Sequence, residues 1–264
     1  MKENILSHLS TECPWRDTLY WYCQVDSTNT QAKRLAAQGA KNGTVLIAGN
    51  QTAGRGRMGR SFQSPEGMGV YLSVILRPDC SPEKLMHLTC AAGVATVQAV
   101  KQVCGIYPQL KWINDLVVNG KKLGGILTEM SVSAGIVDYA VVGIGINCLQ
   151  KEGDFCPEIA PMATSLSMVA GKTILPEQLA AAMTEQLWQM YATLLSEKQQ
   201  WMADYKAKCI TLGKEVQVIR ADTVRPGKAL DLDADGGLLV AYSDGSTEII
   251  SSGEVSVRGM YGYV

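Results

Sequence analysis

Residues 44–76 read TVLIAGNQTAGRGRMGRSFQSPEGMGVYLSVIL, and how the middle of this stretch is read decides the fold. Its two ends, TVLIAGN and GVYLSVIL, are apolar runs of strand length. Between them, Gly54-Arg55-Gly56-Arg57-Met58-Gly59 matches the G-x-G-x-x-G pattern of a dinucleotide-binding turn. That turn must open a helix whose N-terminus holds a pyrophosphate, and the helix must cross over to a parallel strand. Only RSFQSPEGM, which contains Pro65 and Gly67, separates the pattern from the next strand, and a helical crossover needs a dozen or more residues. A doubly wound fold is therefore excluded. What remains is a glycine-rich loop joining two strands, with Arg55, Arg57 and Arg60 within six residues. Glycines let a backbone approach a ligand closely, and guanidinium groups grip carboxylate or phosphate. The loop reads either as an anion clamp that orders around its ligand or as a solvated basic loop.

Toward the N-terminus, residues 3–9 read as a short helix and residues 19–25 as an aromatic strand. Asp26-Ser27-Thr28-Asn29 then offers helix N-cap chemistry before TQAKRLAAQ, and Gly39 and Gly43 close that helix. Toward the C-terminus, Leu85, Leu88, Ala92, Ala95 and Val103 recur at helical spacing, predicting one long amphipathic helix over 82–104. Short strands follow around LKWI, LVVN and KLGGILTEM, then a longer one, IVDYAVVGIGIN, with Asn119-Gly120 marking a tight hairpin. A single long helix is expected over about 176–205. From Gly213 onward five short strands, split by Gly and Asp, predict an SH3-like barrel. The expected architecture is α+β: a mixed, mostly antiparallel sheet with flanking helices in residues 1–210, and a small β domain in residues 211–264.

The 264 residues suffice for one catalytic domain with a small appendage, and their formal net charge of −1 argues against a surface that coats nucleic acid. Eight cysteines are scattered without a C-x-x-C pair, and His8 and His87 are the only histidines, so neither a zinc site nor a disulfide framework is expected. No N-terminal segment has the apolar core of a signal peptide, and no apolar run approaches the ~20 residues of a membrane span. A reduced, cytoplasmic protein with no membrane association is the reading.

Five motifs, taken in order and spacing, make the chain recognisable. Ser27-Thr28-Asn29, Gln51-Thr52-Ala53-Gly54-Arg55-Gly56-Arg57-Met58-Gly59-Arg60, Lys111-Trp112-Ile113-Asn114-Asp115, Lys122-Leu123-Gly124-Gly125-Ile126-Leu127 and Gly143-Ile144-Gly145-Ile146-Asn147 resemble the biotin–protein ligase family. Gly253-Glu254-Val255-Ser256-Val257-Arg258 resembles the family's closing strand. The likeness spans about residues 19–259. Two positions depart from it: Met58 stands where the family usually has Arg, and Ile113 where it usually has Pro.

The resemblance implies an ATP-dependent ligase that joins biotin to AMP and passes it to a lysine of a biotin carboxyl carrier protein. It implies biotin contacts from Ser27, Thr28, Asn29, Gln51, Arg55, Gly56, Arg57 and Lys122. It implies ATP contacts from Arg55, Arg60, Lys111, Trp112, Asn114, Asn147 and Arg258. Lys122, Arg57 and Asp115 would carry the chemistry, with Asp115 either a magnesium ligand or a base for the incoming lysine. Hydroxyl and amide groups at residues 27–29 and 51 match the donors and acceptors of a ureido ring, though the Ser-Thr-Asn run also reads as a plain helix cap. Trp112 reads either as a stacking surface for adenine or as core.

Two other readings are open on sequence grounds: a lipoate–protein ligase, and a biotin sensor without turnover. Only 26 residues precede Ser27, with few basic side chains, so no DNA-binding role is expected. Pairing of sheet edges into a homodimer is implied by the resemblance alone.

Overall fold

The computed structural model describes residues 1–220, 223–251 and 256–259, the last four as backbone. Its order is α1 (Lys2–His8), β1 (Leu19–Val25), α2 (Thr28–Ala37), β2 (Thr44–Gln51), β3 (Gly69–Leu76) and α3 (Leu88–Cys104). Then come β4 (Gln109–Lys111), β5 (Asp115–Val118), β6 (Lys121–Ser133), β7 (Ile136–Asn147), α4 (Leu166–Ala170), α5 (Pro176–Thr193) and α6 (Lys198–Lys208). Five more strands complete it: β8 (Glu215–Arg220), β9 (Thr223–Leu232), β10 (Leu238–Ala241), β11 (Thr247–Ile250) and β12 (Ser256–Gly259).

Strands β1 to β7 form one sheet in the order β1-β2-β3-β7-β6-β5-β4, in which only β1 and β2 run parallel. β3 is buried at every position and β2 at all but its last two, because both faces of this sheet are covered. The two-residue period of a strand assigns its side chains to those faces. Val45, Ile47, Val70, Leu72, Val74, Ala140, Val142 and Ile144 join the main core beneath α3, α5 and α6. Leu46, Ile75 and Val141 face the other way and pack with Ala32 and Ala36 of α2. Ser73, Gly143 and Gly145 alternate with the main-core residues and so lie on the α2 face too. The functional cavity forms on that face.

Asn119 and Gly120 both take left-handed φ values, 51° and 73°, which is the two-residue turn expected between β5 and β6. Two helical expectations need correction. The segment 82–104 splits into a 3₁₀ turn, Pro82–Leu85, and α3. α3 is not amphipathic but buried nearly all round, with Ala91, Ala92, Gly93, Ala95 and Ala99 letting it sit between the sheet and α5 and α6. The expected long helix over 176–205 is two helices broken at residues 194–197. There the Leu194 carbonyl accepts from the buried His87 ring at 2.9 Å, while Trp201, Met202 and Tyr205 turn α6 back onto the core.

The C-terminal strands make a small antiparallel sheet, ordered β11-β10-β9-β8-β12. It joins the first sheet through Trp112, whose indole Nε1 donates to the Gly236 carbonyl at 2.8 Å and whose backbone N–H donates to Thr211 Oγ1 at 2.9 Å. All eight cysteines are unpaired. Among the described residues no helix is long and apolar enough to cross a membrane.

Candidate active site

A cavity of about 470 Å³ opens on the α2 face, where the start of α2, the end of β2, the arginine loop, the β4–β5 turn, β6 and β7 converge. Ser27, Thr28, Asn29, Gln51, Arg55, Gly56, Arg57, Arg60, Lys111, Trp112, Asn114, Asp115 and Lys122 all line it. With Gly143 and Gly145 also in its lining, parts of all five motifs, spread over more than a hundred residues, therefore share one wall.

One part of that wall is uncharged and hydrogen-bonded to itself. Ser27 occupies the N-cap position of α2, yet its hydroxyl makes no capping bond. Gln51 takes that role instead: its Oε1 accepts from the Thr28 backbone N–H at 2.8 Å and from Thr28 Oγ1 at 3.1 Å. Its Nε2 donates to Ser64 Oγ at 2.8 Å, which fixes the orientation of the amide. Asn29 is buried with both amide atoms engaged. Its Nδ2 donates to the Leu127 carbonyl and to Glu129 Oε2, each at 3.0 Å, and its Oδ1 accepts from Ser73 Oγ at 2.7 Å. Glycines make room for this packing: a Cβ on Gly143 would lie 1.7 Å from Asn29 Oδ1, and one on Gly145 would lie 2.5 Å from the Phe62 ring.

Another part is cationic. Lys122 Nζ donates to Asp115 Oδ1 at 2.6 Å across the β5–β6 pair, and Gly125 lies beside both groups. Arg57 Nη1 donates to Asn114 Oδ1 at 3.2 Å, and Asn114 Nδ2 donates in turn to the Ile126 carbonyl at 3.1 Å. Burial pulls the Arg57 pKa down from its ordinary value while Asp115 opposes the shift, and a guanidinium stays charged throughout. The loop itself is pinched by Gly56 N–H to the Arg60 carbonyl at 2.7 Å and by Phe62 N–H to the Gly54 carbonyl at 2.9 Å. Met58 sits at its tip, exposed and left-handed at φ 54°. Arg55 does not point freely at a ligand, since its Nη1 donates to Glu129 at 3.1 and 3.2 Å.

One expected contact is placed otherwise, and another falls outside the described side chains. Asn147 is buried below the cavity wall rather than in it, donating to the Thr164 carbonyl at 3.0 Å and accepting from Gln150 at 3.2 Å, so its amide serves the 148–165 connection. Arg258 lies on β12 in register with Gln217, which lines the cavity, but its side chain falls outside the described residues. Gly253, Glu254 and Val255 of the closing motif fall outside them as well. His87 is fully buried on the far side of the sheet, with its pKa lowered by that burial, and takes no part in the cavity.

The structure adds residues that pattern reading passed over. Ser73 is the lone polar residue inside GVYLSVIL, and that oddity was a signal. Phe62, Ser64 and Glu129 had none, because each acts through a contact made only in the folded chain.

With this geometry in place, comparison with known proteins decides the family. The chain is 37% identical over 249 residues to the bifunctional ligase/repressor BirA of Bacillus subtilis, covering 92% of this chain and 75% of that protein. It is 34% identical over 247 residues to the biotin–[acetyl-CoA-carboxylase] ligase of Mycobacterium tuberculosis, covering 91% and 89%. The chain belongs to the biotin protein ligase family. Residues 20–147 match the biotin/lipoate A/B protein ligase family, and residues 211–258 match the biotin protein ligase C-terminal domain. Among solved structures it is similar to the biotin protein ligase of Aquifex aeolicus in complex with biotin and ATP, with a TM-score of 0.77 and 32% identity, covering 91% of this chain and 98% of that one.

Proposed function

We propose that this cavity joins biotin to AMP and then delivers biotin to a lysine of a biotin carboxyl carrier protein. The observation that carries the reading is the meeting, in one cavity, of an uncharged polar set at residues 27–29 and 51 with a cationic set at residues 55, 57, 111 and 122. The substrate has the same division, a neutral ureido ring at one end and a carboxylate at the other. Lipoate carries no ureido group, so Gln51 and Thr28 would face an apolar ring with nothing to bond.

In the first step a biotin carboxylate oxygen attacks the α-phosphorus of ATP, and the bond to pyrophosphate breaks. Both reactants are anions, so positioning and positive charge do most of the work. Lys122, held by Asp115, stabilises charge on the carboxylate and the α-phosphate. Arg57, anchored by Asn114, caps the mixed anhydride, and Arg55 adds the guanidinium donors that Glu129 leaves over. Arg60 and Lys111 take the outer phosphates, Trp112 offers its buried indole to adenine, and Arg258 is a further candidate for the phosphates. In the second step the carrier lysine's amine attacks the acyl carbon and expels AMP, and the amine's proton leaves to solvent or, where Asp115 is not serving as a metal ligand, to that carboxylate.

Among the described residues no three His, Cys, Asp or Glu side chains cluster, and Asp115 is the one carboxylate in the cavity wall. That donor set fits a magnesium ion carried in on the triphosphate, with Asp115 as its protein ligand, and does not fit an all-protein cage. When bound, the ion would neutralise phosphate charge. Unpaired thiols suit a reducing cytoplasm, and residues 1–210 and 211–264 are taken as the catalytic and accessory units. The test is mass spectrometry of a purified biotin carboxyl carrier domain after incubation with the protein, ATP, magnesium and either biotin or lipoate. One biotin added to one lysine supports the reading; a lipoyl adduct or none refutes it.

A further inference from the structure

Glu129 lies two residues beyond Leu127 on β6, on the cavity face but outside the cavity wall. Its carboxylate gathers donors from two other elements. Lys33 Nζ donates to Oε1 at 2.6 Å and Asn29 Nδ2 to Oε2 at 3.0 Å, both from α2. Arg55 Nη1 reaches both oxygens from the stem of the arginine loop. The Glu129 side chain is only 21% exposed, against 43% for Arg55, so the pair is partly withdrawn from water. The loop's more buried guanidinium, Arg57, donates to the neutral Asn114 just before β5.

We propose that Glu129 is a positioning residue that latches the arginine loop over the cavity through Arg55, both before substrates bind and while the adenylate is held. It touches neither biotin nor ATP. Its effect is on how often the loop opens, and a loop that opens more often releases a reactive intermediate more often. Asn29 shares the same carboxylate, which ties the latch to the wall that receives the ureido ring. Lys33 balances a charge that would otherwise be drawn further toward the loop. The latch itself does not depend on the substrate assignment; the consequence for the adenylate rests on the biotin reading.

The experiment is limited trypsin digestion of the ligand-free protein, with cuts after Arg57 and Arg60 quantified by mass spectrometry. A partly exposed ion pair predicts that Glu129→Gln speeds those cuts by about fivefold while cuts elsewhere keep their rate. Arg55→Gln, which leaves the sheet untouched, should do the same, and the double variant should cut no faster than either single one. Lys33→Gln should cut at the wild-type rate. In a second measurement, pulse-chase dissociation of labelled biotinyl-adenylate should be about fivefold faster in Glu129→Gln, with adenylation at saturating substrate retained. Wild-type cleavage in Glu129→Gln and Arg55→Gln, additive effects in the double variant, equal exposure by Lys33→Gln, or unchanged adenylate dissociation would each overturn the latch. Because the digestion uses no substrate, its failure is distinct from a failure of the proposed ligase activity.

Discussion

Replacing Gly143 with alanine tests the construction of the polar wall. The new Cβ would sit 1.7 Å from Asn29 Oδ1 and 2.6 Å from Asn29 Cγ, far inside any tolerable contact. β7 is held on both sides, by β3 and β6, so the strand has little freedom to withdraw. Asn29 must move instead, and it is 4% exposed with hydrogen bonds to Ser73, the Leu127 carbonyl and Glu129. Each such bond is worth about 1 kcal/mol net, and a buried donor left unpaired costs about 1–3 kcal/mol. Partial relaxation brings the expected loss to ~3 kcal/mol, read as the fall in urea-unfolding free energy at unchanged slope. Biotin affinity should fall at least about tenfold, since Asn29 and Thr28 share Ser73 and would move together. Asn29→Ala removes the obstacle, so adding Gly143→Ala to it should cost at least ~1.5 kcal/mol less than in the wild type. A loss below about 0.5 kcal/mol in the single variant, or strict additivity in the pair, would refute the argument.

Other consequences follow from the same contacts. Lys122→Ala should lower adenylation by about a hundredfold or more while circular dichroism shows the fold intact, because a preplaced charge is lost at the reacting carboxylate; wild-type rates would remove Lys122 from the chemistry. Arg57→Ala should let biotinyl-adenylate escape, seen as biotin on bystander lysines such as those of serum albumin, whereas unchanged retention would deny the loop its capping role. Trp112→Phe leaves the buried Gly236 carbonyl without its donor and should cost about 1–3 kcal/mol in urea unfolding; an unchanged midpoint would mean the link between the two sheets is weak. Although burial alone would raise it, the Glu129 pKa is held below the ordinary glutamate value by Lys33, Asn29 and Arg55. A depressed pKa stabilises the folded state above the unfolded value of about 4.3 and loses that stabilisation as pH falls through the folded value. The stability gap between wild type and Glu129→Gln should therefore be full at neutral pH and close in acid below that range, and a gap that widened in acid would contradict the ion-pair account.

Elements whose signal is local were legible in the sequence. Strand ends at Leu19, Val25, Gly69 and Leu76 coincide with apolar runs bounded by Gly, Pro or polar residues, and Asn119-Gly120 announced its turn. The break at residues 194–197 was not legible, since it depends on His87 capturing the Leu194 carbonyl across more than a hundred residues. Ser27 looked like the cap of α2, but the capping oxygen belongs to Gln51 on β2, 23 residues beyond the Thr28 N–H that it accepts from. Residues that face the cavity carried their own chemistry in their side chains and spacing. Ser73 and Glu129 act on those residues from outside the cavity wall, and nothing in their immediate sequence states whom they touch. Asn147 shows the converse: it stands in a functional motif, yet its amide is spent inside the fold.

The central claim is that this cavity activates biotin with ATP, and the most direct measurement is exchange of labelled pyrophosphate into ATP with biotin, with lipoate, and with neither. The account predicts exchange with biotin alone. Exchange only with lipoate, or none while biotin remains bound, would contradict it.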